Sequence, residues 1–235
     1  VNAGTCEFLL ARSGEFYFLE MNTRIQVEHP VTELVTGIDL VQWQLRVAAG
    51  EQLSFSQDQI TPRGWAIECR ITSEDPANGF LPSTGTVGYL QVPTGPGIRW
   101  DGGIAAGSEV TLFYDPMIGK LIVHAATREA AVARMHRALR ELVVSGVETS
   151  RDFHLRVMEN DDFRAGRIDI QWLERSLPAI LHHEPPPEVV QRAAIAAALL
   201  AERDRATPRG KGNRSSSSHA VDPWTHAARR DALRE

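Results

Sequence analysis

Glu20-Met21-Asn22-Thr23-Arg24-Ile25-Gln26-Val27-Glu28-His29-Pro30 packs two carboxylates, two amides and a guanidinium into a run too short to need so many polar groups for solubility. It reads as a site. Upstream, Cys6-Glu7-Phe8-Leu9-Leu10-Ala11 and Glu15-Phe16-Tyr17-Phe18-Leu19-Glu20 are apolar, aromatic-rich runs joined by Arg12-Ser13-Gly14, which predicts a β-hairpin. A turn centred on Ser13-Gly14 sets Glu7 opposite Glu20, Leu9 opposite Phe18 and Ala11 opposite Phe16. Carboxylates opposed across a strand pair repel, so the arrangement asks for a cation. An all-oxygen pair suits Mg2+ or Mn2+ held jointly with substrate phosphates. A turn one residue longer instead sends one Glu to solvent.

The run from Glu20 is similar to the signature of biotin carboxylases, whose pattern E-M-N-x-R-x-Q-V-E-H it matches without a departure. Carbamoyl phosphate synthetases and other ATP-grasp ligases share the scattered Glu, Asn and Arg, but not the continuation through Gln26, Val27, Glu28 and His29. The resemblance implies a role for each residue. Glu7 and Glu20 take the place of two metal-bridging carboxylates, with Asn22 beside them. Arg24, Gln26 and the Val27 backbone match a bicarbonate clamp, and Glu28 the general base that removes the bicarbonate proton. Arg70, in Ala66-Ile67-Glu68-Cys69-Arg70-Ile71, matches the arginine that stabilises the enolate-like form of biotin. Leu9 and Ile170 match apolar positions around adenine, with Glu20 also at the nucleotide, and Asp115 an acidic residue near biotin.

The chemistry supports these types. A positioned carboxylate can take the proton of bicarbonate as its oxygen attacks the γ-phosphate of ATP. Arg24 offers a planar fork to a planar oxyanion. On the family mechanism carboxyphosphate then yields carbon dioxide and phosphate, the phosphate deprotonates biotin, and Arg70 holds the charge on the ureido oxygen. Each residue also has a plainer reading. Arg24 and Glu28 can form a surface pair, Arg70 can cover apolar surface with its stem, and an Asp before Pro, as at Asp115, forms turns.

The chain has 235 residues, 43% hydrophobic and 23% charged, ordinary for a globular protein of one large or two modest domains. Its net charge of -5 argues against a nucleic-acid binder. No apolar run suggests a membrane span, and the first residues show no signal-peptide pattern, so a cytoplasmic or organelle-matrix setting is expected. Cys6 and Cys69, the two cysteines, sit in apolar strand-like runs and are expected to be buried free thiols. A start at Val1 so close to the hairpin suggests a piece of a longer polypeptide. The family's glycine-rich lid and ATP-binding lysines would lie upstream, and the piece alone is expected to be inactive.

The predicted fold is α+β. Residues 1–50 read as the end of an ATP-grasp domain, 51–177 as a biotin carboxylase carboxy-terminal domain with a small antiparallel sheet and helices, 178–207 as a helical extension, and 208–235 as a flexible linker entering a further domain. Periodicity predicts one amphipathic helix over 31–49, ended by Gly50, and another from Thr127 to Val144. Strands are expected at 65–71, 85–92, 98–100, 109–113 and 118–124. After Pro185-Pro186-Pro187 an Ala- and Leu-rich helix covers 188–206, followed by a polar low-complexity run at 209–218.

The resemblance extends through Ser73-Glu74-Asp75-Pro76, Phe80-Leu81-Pro82-Ser83 and Tyr114 to Leu121. Asp222-Pro223-Trp224 is similar to the point where larger acyl-CoA carboxylase subunits pass into a linking domain. The cofactors implied are ATP, Mg2+ or Mn2+, and biotin, which another domain must carry because no Ala-Met-Lys-Met motif is present. The partners implied are a biotin carboxyl carrier domain, a carboxyltransferase component and a second copy of the chain, with Arg99-Trp100 an interface position. Two other readings stand beside this one: a non-catalytic assembly module, and a different ATP-grasp carboxylate ligase.

Overall fold

The computed structural model describes residues 2–182 and 187–206. In chain order these form β1 (Thr5–Leu10), β2 (Phe16–Asn22), α1 (His29–Thr36), α2 (Leu40–Ala48), β3 (Trp65–Thr72), β4 (Glu74–Asp75), β5 (Leu81–Pro82), β6 (Gly85–Thr86) and β7 (Tyr89–Gln91). There follow β8 (Ile98–Gly102), β9 (Glu109–Val110), β10 (Met117–Ala125), α3 (Arg128–Glu141), β11 (Val143–Ser145), α4 (Arg151–Glu159), α5 (Asp161–Ala165), α6 (Trp172–Leu181) and α7 (Pro187–Ala206). The fold is α+β, as the sequence predicts.

The centre is an antiparallel sheet in the order β3-β10-β8. Alternation along these strands gives it two different faces. Leu121 pairs with Cys69 and Trp100, and Val123 with Ile67 and Ile98, so these side chains share one face. There they meet α3 through Val132, Met135, Ala138 and Leu139 in the main core. On the other face Lys120 stands between Arg70 and Asp101, and Ile122 between Glu68 and Arg99. That face lies against α1. Coverage on both sides explains why β10 reads as a nearly unbroken apolar run, with Lys120 its one charge.

Trp100 needs glycine beside it. A Cβ added at Gly119 would come within 2.4 Å of the indole, and one at Gly102 within 2.0 Å.

The single helix expected over 31–49 is two. Gly37 closes α1 in the left-handed region (φ 74°), and Asp39 caps α2 by accepting from the Gln42 N–H at 2.7 Å. Glu33 bridges the break, accepting from the Leu40 N–H at 2.8 Å and from Arg99 at 2.7 Å. The apolar residues keep helical spacing through this corner, although α1 lies against the sheet and α2 has no buried residue. The second predicted helix ends at Glu141, and Val143 to Ser145 instead pair with β7. The run expected as a strand over 85–92 splits into β6 and β7 around Val87 and Gly88, and that over 109–113 shortens to β9.

The chain divides after His183 into two units. In the second, α7 has the extent the sequence predicts, its side chains from Pro187 to Arg203 exposed. The low-complexity run at 209–218 and Asp222-Pro223-Trp224 lie outside the described residues.

Candidate functional site

Glu7 and Glu20 are cross-strand partners, but not through the turn that counting suggests. The hairpin closes with Ala11 N–H donating to the Glu15 carbonyl at 2.8 Å, which sets Leu10 opposite Phe16, Leu9 opposite Tyr17 and Phe8 opposite Phe18. The expected pairs Leu9–Phe18 and Ala11–Phe16 therefore do not form. Continued unchanged, this register would place Leu19 across from Glu7. A bulge between Glu7 and Phe8 leaves Leu19 unpaired and brings Glu20 into place.

The amides then tie the carboxylates together. Asn22 Nδ2 donates to Glu7 Oε1 at 2.9 Å and to Glu20 Oε1 at 3.0 Å, and Gln26 Nε2 donates to Glu7 Oε1 at 3.1 Å. Two hard oxygen donors side by side suit Mg2+ completed by phosphate oxygens better than an all-protein cage. No group of three or more His, Cys, Asp or Glu side chains gathers as a metal site among the described residues.

Gln26 to Glu28 form the turn into α1. Glu28 is the N-cap residue of that helix, yet its side chain makes no capping bond. It reaches instead across to β3, where Arg70 Nη2 meets Glu28 Oε2 at 2.8 Å. Arg24, Gln26, Glu28 and His29 line a common cleft of about 290 Å³. Arg24 donates to the Ile25 carbonyl at 3.1 Å.

Arg70 itself is held from behind. Its carbonyl accepts from Ser150 Oγ at 3.2 Å and from His154 Nε2 at 2.8 Å. Burial lowers the His154 pKa against the pull of that bond, so the ring is neutral and its Nε2 carries the proton.

The charged face of the sheet positions the turn. Lys120, buried, donates from Nζ to the Val27 carbonyl at 2.9 Å and lies 3.6 Å from Asp101 Oδ2. Burial opposes ionisation of Asp101, but the hydrogen bond and charge of Arg99, with Lys120, keep its carboxyl below the usual range. Lys120, Asp101 and Glu33 had no role in the sequence reading. The signal was present: a lone lysine in an apolar strand, and charges two residues apart at Glu68 and Arg70 and at Arg99 and Asp101, the spacing of one sheet face.

Other expected residues stand apart. Ile170 is in a turn, not a helix, and 95% exposed, and Leu9 is 50% exposed on the hairpin. Neither is core. Asp115 accepts from the Met117 N–H at 2.8 Å, the turn-forming role its Pro neighbour suggests. Arg99 spends its guanidinium on Glu33 and Asp101 within the chain, and Trp100 packs against the core. Cys6 is exposed, against expectation, because the hairpin has no covering layer in this structure. Cys69 is buried, its thiol pushed up to about 12 by burial and then by Glu68, and is inert.

Residues 1–56 match the carbamoyl-phosphate synthase L chain ATP binding domain, and these residues hold the hairpin and the turn into α1. The class is that of an ATP-binding module joined to a mixed α/β domain. Residues 68–175 match the biotin carboxylase C-terminal domain. The chain is 53% identical over 173 residues to a biotin carboxylase of Nostoc, covering 73% of this chain and 38% of that one. It is 51% identical over 175 residues to that of Haemophilus influenzae, covering 74% and 39%. Its structure matches the biotin carboxylase domain dimer of Hydrogenobacter thermophilus 2-oxoglutarate carboxylase, solved with MgADP, ADP and bicarbonate, at a TM-score of 0.75 and 48% identity over 78% of this chain and 40% of that one. The chain belongs to the biotin carboxylase family, and it spans about two fifths of the length of these curated relatives.

Proposed function

We propose that the chain supplies the bicarbonate and biotin side of an ATP-dependent biotin carboxylase. The observation that carries this reading is the Glu28–Arg70 contact at 2.8 Å, which joins the turn of the ATP-binding part to the first strand of the carboxy-terminal domain. The base and the oxyanion-stabilising arginine thereby belong to one site. A relative solved with MgADP and bicarbonate supports the same substrates.

Glu7 and Glu20 would hold Mg2+ with nucleotide phosphates, and the ion would neutralise charge on the phosphates during transfer. Arg24, Gln26 and the Val27 backbone bind bicarbonate in the cleft, and Glu28 accepts its proton at a carboxylate oxygen. Lys120 keeps the Val27 carbonyl turned away from the anion. Arg70, released from Glu28, holds the ureido oxygen as biotin N1 loses its proton to phosphate. Leu9 and Ile170 border the adenine, and Asp115 borders the biotin. Biotin arrives on a carrier domain and leaves for a carboxyltransferase, which chooses the acyl-CoA. Two copies pair as in the dimeric relative.

The test is bicarbonate-dependent ATP hydrolysis with free biotin, on the chain extended to the length of its relatives, against Glu28→Gln. Loss of about 100- to 10,000-fold in kcat is expected for removal of a general base. Hydrolysis indifferent to bicarbonate or to Glu28 would point to another ligase or to an assembly role.

A further inference from the structure

Glu68 stands on the charged face of the sheet without the partners its neighbours have. Both its carboxylate oxygens are shut off from solvent and neither has a hydrogen-bond partner. Buried carboxylates normally have one. It shares strand β3 and a sheet face with Arg70, two residues away, a separation of about 7 Å that an arginine side chain spans easily. The charged groups facing it are Lys120 on β10, Arg70 on its own strand, Glu28 before α1 and Asp101 on β8. Burial, against the pull of Lys120 and Arg70 and aided by Glu28 and Asp101, pushes its carboxyl up to about 7.

On the reading proposed above, Glu28 must take a proton from bicarbonate and Arg70 must hold the biotin oxygen. In the structure the two are paired with each other. The pair is half exposed, with side-chain accessibilities of 50% and 52%, so it is weakly held and readily exchanged. What it lacks is somewhere for the Arg70 charge to go before biotin arrives.

We propose that Glu68 is a positioning residue for this pair: in its ionised form it takes Arg70 from Glu28, leaving Glu28 free to accept the bicarbonate proton. When Glu68 is protonated the Glu28–Arg70 pair stays closed and the base is masked. When Glu68 loses its proton to solvent, its unpartnered oxygens accept the guanidinium. Lys120 stays with the Val27 carbonyl, so the bicarbonate turn does not move with the exchange. The site thus opens as pH rises through neutrality.

This inference rests on the biotin carboxylase reading, and its test separates the two. In the extended chain, kcat for bicarbonate-dependent ATP hydrolysis is measured from pH 6 to 9 for the unaltered protein, Glu68→Gln, Glu68→Asp and Glu28→Gln. The expected result is a rising limb near pH 7 that disappears in Glu68→Gln, with kcat about tenfold lower at pH 8 and KM for ATP unchanged, and that returns, displaced, in Glu68→Asp. If Glu68→Gln fails to fold, the limb in the unaltered protein and its displacement in Glu68→Asp decide the matter. Nitrogen-15 NMR of the Arg70 side chain gives a readout free of turnover: a change of partner with a midpoint near pH 7, absent in Glu68→Gln. A Glu68→Gln profile that superimposes on the unaltered one, with Glu28→Gln dead, overturns this inference alone. An active Glu28→Gln overturns the reading beneath it.

Discussion

Replacing Glu68 by Gln should stabilise the folded chain, and only on the alkaline side. The carboxyl rises from 4.5 to about 7 on folding, chiefly through burial. Between those values the folded chain keeps a proton that the unfolded chain has lost. Stability is therefore full below pH 4.5, falls as pH rises, and levels off above about 7. The full rise would be worth about 3 kcal/mol in a dry site. Arg70 beside it is half exposed, so solvent screens the charges around the carboxylate and reduces the figure to about 1–2 kcal/mol. Glutamine keeps the shape and cannot ionise. Thermal unfolding followed by circular dichroism should then show the same midpoint for both proteins at pH 4, and at pH 8 a midpoint about 2–8 °C higher for the variant. Parallel pH dependence in the two proteins would mean that Glu68 loses its proton in the folded chain where it does in the unfolded one, and the argument from its burial would fail.

Lys120→Met should free the Val27 carbonyl, raising KM for bicarbonate about tenfold, or ~1.4 kcal/mol, with kcat changed far less; steady-state kinetics at varied bicarbonate would show it. Gly119→Ala should force a methyl against the Trp100 ring and cost about 1–3 kcal/mol, visible as a lower denaturation midpoint and a shifted tryptophan emission.

Much of the fold could be read from pattern. The two long strands and α3 were legible because burial on a fixed period is a local signal. The break between α1 and α2 was not, since one apolar stripe continues through it, and only Gly37 followed by Asp39 marks the corner. Within the candidate site, residues in the run from Glu20 to Glu28 announced themselves by density. Those that support it did not. Lys120, Asp101 and Glu33 act through positions distant in sequence, and their meeting depends on a strand register that no single segment encodes. Ile170 shows the opposite failure: an apolar residue matched to a motif, yet fully outside any packed layer of this structure.

The bulge makes Leu19 the spare member of its strand. Turn and aromatic pairs alone would count position 19 opposite Glu7, and the bulge passes that place to position 20. Loss of Leu19 would therefore close the ladder with every pair kept, Phe8 with Phe18 and Glu7 with Glu20 among them, and remove only the added local twist. Loss of Phe8 from the facing strand would instead bring Glu7 opposite Phe18. A library of hairpin variants would show tolerance to a deletion at Leu19 beside intolerance to one at Phe8.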